Sequence, residues 1–156
     1  MEHETDQRQR SRARNYAYRI LKVRMRSEKE FRVKLQENEF PQPIVDEVVR
    51  SFQDMGLIDD RSFTQKWIAF RLAKPWGIRR IQRELKDKGI AEATITTEIQ
   101  AATADVSEEM IVKEIAQRRA EHFKHIEKQK LKQRIYGYLL RRGFSPESVM
   151  KAIKEL

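Results

Sequence analysis

The chain has 156 residues, 39% apolar and 37% charged, with 33 Lys and Arg against 24 Asp and Glu for a formal charge of +9. That length suits one domain or a short repeat array with a modest core. The absence of cysteine excludes disulfides, thiolate metal sites and cysteine nucleophiles, and no apolar run approaches the ~18 residues of a membrane span.

Residues 1–11 are polar and lack the apolar core of a secretory signal, so they read as a flexible tail on an intracellular protein. A helix is predicted over roughly 12–25, with Ala13, Ala17 and Ile20 on one face. Ser27 and Glu30 have capping-box spacing and start a second helix, whose inward stripe is Phe31 and Leu35. The Phe40-Pro41-Gln42-Pro43 segment breaks the chain. A third helix then carries Ile44, Val45, Val48, Val49 and Phe52 and stops at Gly56, which tolerates a left-handed backbone. Residues 12–56 thus form one three-helix unit.

A second unit spans 57–104. Asp59 or Asp60 caps a helix running to about Ala73, and Pro75-Trp76-Gly77 makes a turn. Helices follow over 78–88, ended by Gly89, and over about 92–101. The third unit, 105–156, has a longer first helix over about 107–125 and a middle helix over 130–142 that stops at Gly143. Its last helix is capped by Ser145, with Pro146 in the first turn.

The units share one apolar skeleton. Phe31, Leu35, Phe40, Val45 and Val49 recur 50 residues on as Ile81, Leu85, Ile90, Ile95 and Ile99, and a further 54 on as Ile135, Leu139, Phe144, Val149 and Ile153. Upstream, Ala13, Ala17 and Ile20 align with Phe63, Trp67 and Phe70, then with Ala116, Ala120 and Phe123. Charge follows the same rhythm: residues 8–34, 66–88 and 118–142 are basic, and the stretches between them are acidic. One such unit buries little alone, and stacking three covers the faces each leaves open. The expectation is an all-α, elongated array of three tandem three-helix repeats with separate basic and acidic strips.

Arg24, Lys74 and Lys128 recur near the turn between the first and second helix of each unit. Arg79, Arg80, Arg83 and Lys86 line the middle helix of the second unit. Lys130, Lys132, Arg134, Arg141 and Arg142 do the same in the third. Such strips neutralise phosphates or meet acidic patches on a protein. Asp59 and Asp60 read as helix caps rather than a catalytic pair. His122 and His125 share a helical face but bring too few ligands for a metal. Trp67 falls in the apolar register, whereas Trp76 either packs against the third helix of its unit or projects as a contact residue. The five glycines are isolated and form no phosphate loop. No catalytic, cofactor or metal site is expected.

The string Gly56-Leu57-Ile58-Asp59-Asp60 with Phe63 and Arg71 resembles the bacterial RecX family. So does the string Gly77, Arg80-Ile81, Glu84-Leu85 and Lys88-Gly89-Ile90. The resemblance covers about residues 12–156, and Thr64 departs from it where the family usually has alanine. It implies a cytoplasmic, non-enzymatic regulator of the RecA recombinase, built of three three-helix modules. Such a protein lies in the groove of the RecA–DNA filament and hinders ATP turnover, strand exchange and filament growth. It would act in recombination, repair and the SOS response, with single- and double-stranded DNA as further partners and no membrane. Arg71 joins the expected contact residues, and a monomer is expected. The alternative is a general DNA-binding helical repeat protein with no recombinase partner.

Overall fold

The computed structural model describes residues 2–156, with side chains from Asp6 onward. Among these residues there are nine helices: α1 (Glu2–Val23), α2 (Glu28–Glu37), α3 (Gln42–Asp54), α4 (Asp60–Leu72), α5 (Ile78–Asp87), α6 (Glu92–Thr103), α7 (Glu108–His122), α8 (Lys128–Arg141) and α9 (Pro146–Lys154). They form three tandem three-helix repeats. In the first, α3 packs on α1 and α2; in the third, α9 packs on α7 and α8. Two compact units are present, one comprising the chain up to Thr64 with Lys86–Thr94, the other Gln65–Leu85 with Ile95–Leu156. The middle repeat is thus divided between them.

Local chemistry accounts for the helix ends. Ser27 and Glu30 make the full capping box at α2. Asp59 Oδ1 accepts from the Arg61 and Ser62 amides at 2.9 and 3.2 Å and so caps α4. Ser145 caps α9 through the Ser148 amide, with Pro146 in the first turn. The middle helices of the three repeats end on left-handed residues at equivalent places, Glu39 (φ 59°), Gly89 (φ 79°) and Gly143 (φ 88°).

The repeated skeleton is the core. Fourteen of its fifteen positions are buried, and Phe40 is half-buried against the first core cluster. The register expected for the first helices holds in α1, where Ala13, Ala17 and Ile20 are buried; in α4 it holds at Phe63, is only partly met at half-buried Trp67 and fails at Phe70. There Phe70 is 53% exposed, and Phe63, Thr64 and Ile68 take the inward face. Phe70 lies two residues beyond Ile68, about 200° around the helix, so both cannot face the core. In α7 the buried pair is Val112 and Ala116, while Phe123 lies past the helix end. Buried Thr64 donates its hydroxyl to the Asp60 carbonyl at 2.7 Å, so the departure from alanine leaves no orphan polar group.

Helix α1 begins at Glu2 rather than near residue 12. No Gly or Pro interrupts the segment, Arg10 pairs with Asp6 one turn back at 3.0 Å, and Arg10 also reaches Glu47 of α3 at 3.3 Å. Polar composition suggested a tail, but helix propensity and these pairs favour continuing the helix.

Candidate nucleic-acid interface

The basic side chains are positioned by two joints between helices of successive repeats. In the first unit the N-terminus of α2 rests on the C-terminus of α5. Ser27 Oγ donates to the Lys88 carbonyl at 2.7 Å, and Lys29 Nζ donates to that of Asp87 at 3.1 Å. Asp60 Oδ1 accepts from the Glu28 amide at 2.8 Å, so the adjacent acids cap two different helices. Burial pushes the Asp60 carboxyl above the ordinary range, the Glu28 amide opposing it. Glu30 binds Arg24 at 3.0 Å and Lys88 at 2.7 Å. Burial disfavours its charge, but these hydrogen bonds and the Lys88 charge outweigh that and hold its pKa at about 2.

In the second unit the N-terminus of α5 rests on the C-terminus of α8. The Gly77 amide donates to the Arg142 carbonyl at 2.8 Å, and the Arg79 amide to that of Gly143 at 3.2 Å. Each junction satisfies orphan groups and sets a positive helix end against a negative one. The backbones are too close for side chains. A Cβ on Gly77 would overlap the Gly143 carbonyl, and one on Gly143 would stand 2.6 Å from the Arg80 nitrogen.

Around this second joint, arginines alternate with aromatic rings. Arg80 and Arg142 lie 3.8 and 4.2 Å from the centre of Trp76, with Arg71 at 5.8 Å. Arg71 also lies 4.9 Å from Trp67, and Arg142 lies 5.0 Å from Tyr138. Arg119 stacks on Tyr138 at 3.6 Å. Glu84 is the anionic centre: its carboxylate accepts from Trp67 Nε1 at 3.0 Å and Arg80 Nε at 3.1 Å. Arg71 Nε is 2.7 Å from the same carboxylate but does not aim its N–H at it, making an ion pair rather than a hydrogen bond. Cation–π contacts of this kind contribute about 0.5–2 kcal/mol each, most where water is excluded.

The thirteen basic residues expected as contacts therefore divide by environment. Arg71, Arg80 and Arg142 are brought together at the Trp76 joint, where they act in packing. Arg24 is tied to Glu30, Lys86 to Glu92 at 2.9 Å and Lys130 to Glu127 at 3.5 Å; Lys74 lies 4.7 Å from the Phe70 ring. Arg79, Arg83, Lys128, Lys132, Arg134 and Arg141 have no side-chain hydrogen bond or ion pair among the described residues, and all but half-buried Lys132 are exposed. These six can meet an external anion without first breaking a pair. Arg24 and Lys86 belong to the first unit and the other eleven to the second.

Trp76 is half-buried among arginines of α4, α5 and the end of α8, so it is packed, but not against the third helix of its unit as one expectation had it. Arg119 and Glu84 were not singled out as site residues from the sequence. Arg119 lies in the third basic block, but its stacking depends on the packing of α7 against α8. His122 is exposed with Nδ1 2.8 Å from the Arg118 carbonyl, and no three His, Asp or Glu among the described residues are grouped to hold a metal ion. No helix of the described residues is long and apolar enough to cross a membrane.

Three family models match along the chain: the RecX first three-helix domain at residues 13–50, the second at 59–97 and the third at 108–153. The regulatory protein RecX of Pasteurella multocida is 32% identical over 134 residues, covering 85% of this chain and 80% of its own. That of Chlorobium phaeobacteroides is 31% identical over 141 residues, covering 90% of each. Among solved structures, RecX from Lactobacillus salivarius superposes with a TM-score of 0.78 at 22% identity, over 95% of this chain and 96% of that one. A second crystal structure of regulatory protein RecX gives 0.80 at 24%, over 97% and 74%. At those identities the structures speak to the fold alone. With all three domain models in order and relatives above 30% identity along most of their length, this chain belongs to the RecX family.

Proposed function

We propose that the chain is a non-catalytic cytoplasmic regulator that binds the RecA–DNA filament and lowers its ATP hydrolysis, strand exchange and growth. It acts in recombination, repair and the SOS response. The observation that carries this reading is family membership through all three modules in order. The unpaired cations of α5 and α8 supply the chemistry. Arg79 and Arg83 stand one turn apart on α5, and Lys128, Lys132, Arg134 and Arg141 extend along α8. They meet phosphates of single- or double-stranded DNA, or acidic patches of the filament protein, while the Trp76 joint fixes the helices that present them. The chain acts as a monomer.

The second reading, a DNA-binding helical protein without a recombinase partner, rests on the same cations. Fluorescence anisotropy separates the two. Labelled protein is titrated with RecA–single-stranded DNA filament and with naked DNA of the same length. The filament reading expects binding at least about tenfold tighter to the filament, ~1.4 kcal/mol. Equal affinities would favour the plain DNA binder. Arg79→Glu with Arg83→Glu is the sharper charge reversal, because reversing Arg80 would also break its contacts with Trp76 and Glu84.

A further inference from the structure

Helices α7 and α8 enclose a groove of about 340 Å3 in the second unit, lined by Arg119, Gln133, Arg134, Gly137, Tyr138 and Arg141 among others. Among the described residues no acidic one lines it. Glu114 pairs with Arg118 and Glu127 with Lys130, and exposed Glu121 is not one of the groove's lining residues. Arg134 and Arg141 are exposed and carry no ion pair among the described residues. Arg119 is held against the Tyr138 ring at 3.6 Å, so its guanidinium is already placed. Stacking on a ring fixes an arginine without consuming its charge, which leaves its donors for a ligand.

Gly137 is a second, independent sign. It lies inside α8, where glycine is a poor helix former. A Cβ there would come within 3.1 Å of Arg141 Nη1, so the missing side chain is the space in which the Arg141 guanidinium lies. Arg134, Gly137, Tyr138 and Arg141 share one helical face by their spacing.

We infer that this groove is a phosphate-binding subsite for a nucleic-acid backbone, with Arg119, Arg134 and Arg141 as its donors and Gly137 as the residue that makes room for Arg141. The inference rests on the DNA contact in the function proposed above and gives it a location. Guanidinium forks match the paired oxygens of a phosphate. A polyanion is favoured over a lone carboxylate because Lys128, Lys130 and Lys132 begin the same helix, and residues 118–142 carry nine basic side chains against two acidic. Successive phosphates of one strand can reach those lysines while one occupies the groove, which a single carboxylate cannot do.

The test uses the full chain, a fluorescent oligothymidylate as the nucleic-acid probe and inorganic pyrophosphate as the free-phosphate probe. Gly137→Ala is the informative variant, since alanine favours the helix and binding loss cannot be put down to unfolding. It is expected to weaken oligothymidylate binding several-fold with an unchanged or higher urea midpoint. Arg134→Gln with Arg141→Gln is expected to weaken binding about tenfold and to flatten the log–log salt dependence by about 1.4. The Arg119 Nε–H resonance of the wild-type protein should shift on adding the oligonucleotide. Wild-type affinity and salt slope in both variants would overturn the subsite while leaving DNA binding intact. Resonance shifts with pyrophosphate but not with oligothymidylate would overturn the nucleic-acid assignment. A wild-type chain that binds the RecA filament but not the oligonucleotide would overturn both the subsite and the DNA part of the proposed function, leaving the regulator reading in place.

Discussion

Replacing Gly143 by alanine isolates the joint between α5 and α8. Two costs are expected. The left-handed backbone at φ 88° disfavours any Cβ by about 1–2 kcal/mol. The new Cβ would also stand 2.6 Å from the Arg80 amide nitrogen and 3.0 Å from its Cα, both backbone atoms that cannot swing aside. Overpacking of that kind costs about 1–3 kcal/mol, for a total of about 2–5 kcal/mol. Gly56 is the internal control. It shares the left-handed backbone, at φ 69°, but a Cβ there meets nothing within 4 Å. Gly56→Ala should therefore cost only the conformational share, about 1–2 kcal/mol. Urea unfolding of the two variants measures the difference directly. At a slope of ~2 kcal/mol/M, Gly143→Ala should lose about 0.5–1.5 M more in midpoint than Gly56→Ala. Equal losses would refute the reasoning, because they would mean that Arg80 does not press on Gly143.

Three more predictions follow from named contacts. Leu35, Leu85 and Leu139 occupy equivalent buried positions at 0% exposure, so alanine at each should cost about 2–5 kcal/mol; 40%-exposed Val33→Ala should cost under ~0.5 kcal/mol by the same denaturation assay. Glu30 has a folded pKa of about 2 against an ordinary 4.5, so its contribution is complete above 4.5 and is lost as pH falls toward 2. Acid unfolding of Glu30→Gln should accordingly be shallower than wild type across that window. Reversing Arg79 and Arg83 to glutamate should leave the thermal midpoint nearly unchanged, since neither is paired among the described residues, while binding to single-stranded DNA weakens and its salt slope falls by about 1.4, read by anisotropy across a salt series.

The architecture was legible because its signals are local or periodic. Ser27 and Glu30 make the cap their spacing implied, Ser145 and Pro146 start α9, and the Phe31–Ile81–Ile135 register marks three equivalent buried sites. Burial and capping depend on residue type and interval, which a sequence displays. Contacts between helices do not. Trp76 meets Arg142, and Arg119 meets Tyr138, through helix packing that no interval encodes. Phe70 shows the same limit in reverse: its alignment with Ile20 in the repeat suggested core, while helical geometry gave that face to Ile68. The site was legible as a list of basic residues, but not in its division between arginines that hold the joint and cations left unpaired.

Hydrolysis of ATP by RecA on single-stranded DNA, titrated with this chain, tests the proposed function most directly. The account predicts a fall in the hydrolysis rate that saturates as the filament is occupied, and a weaker fall with the Arg79→Glu, Arg83→Glu variant. A rate unchanged at saturating protein would contradict it.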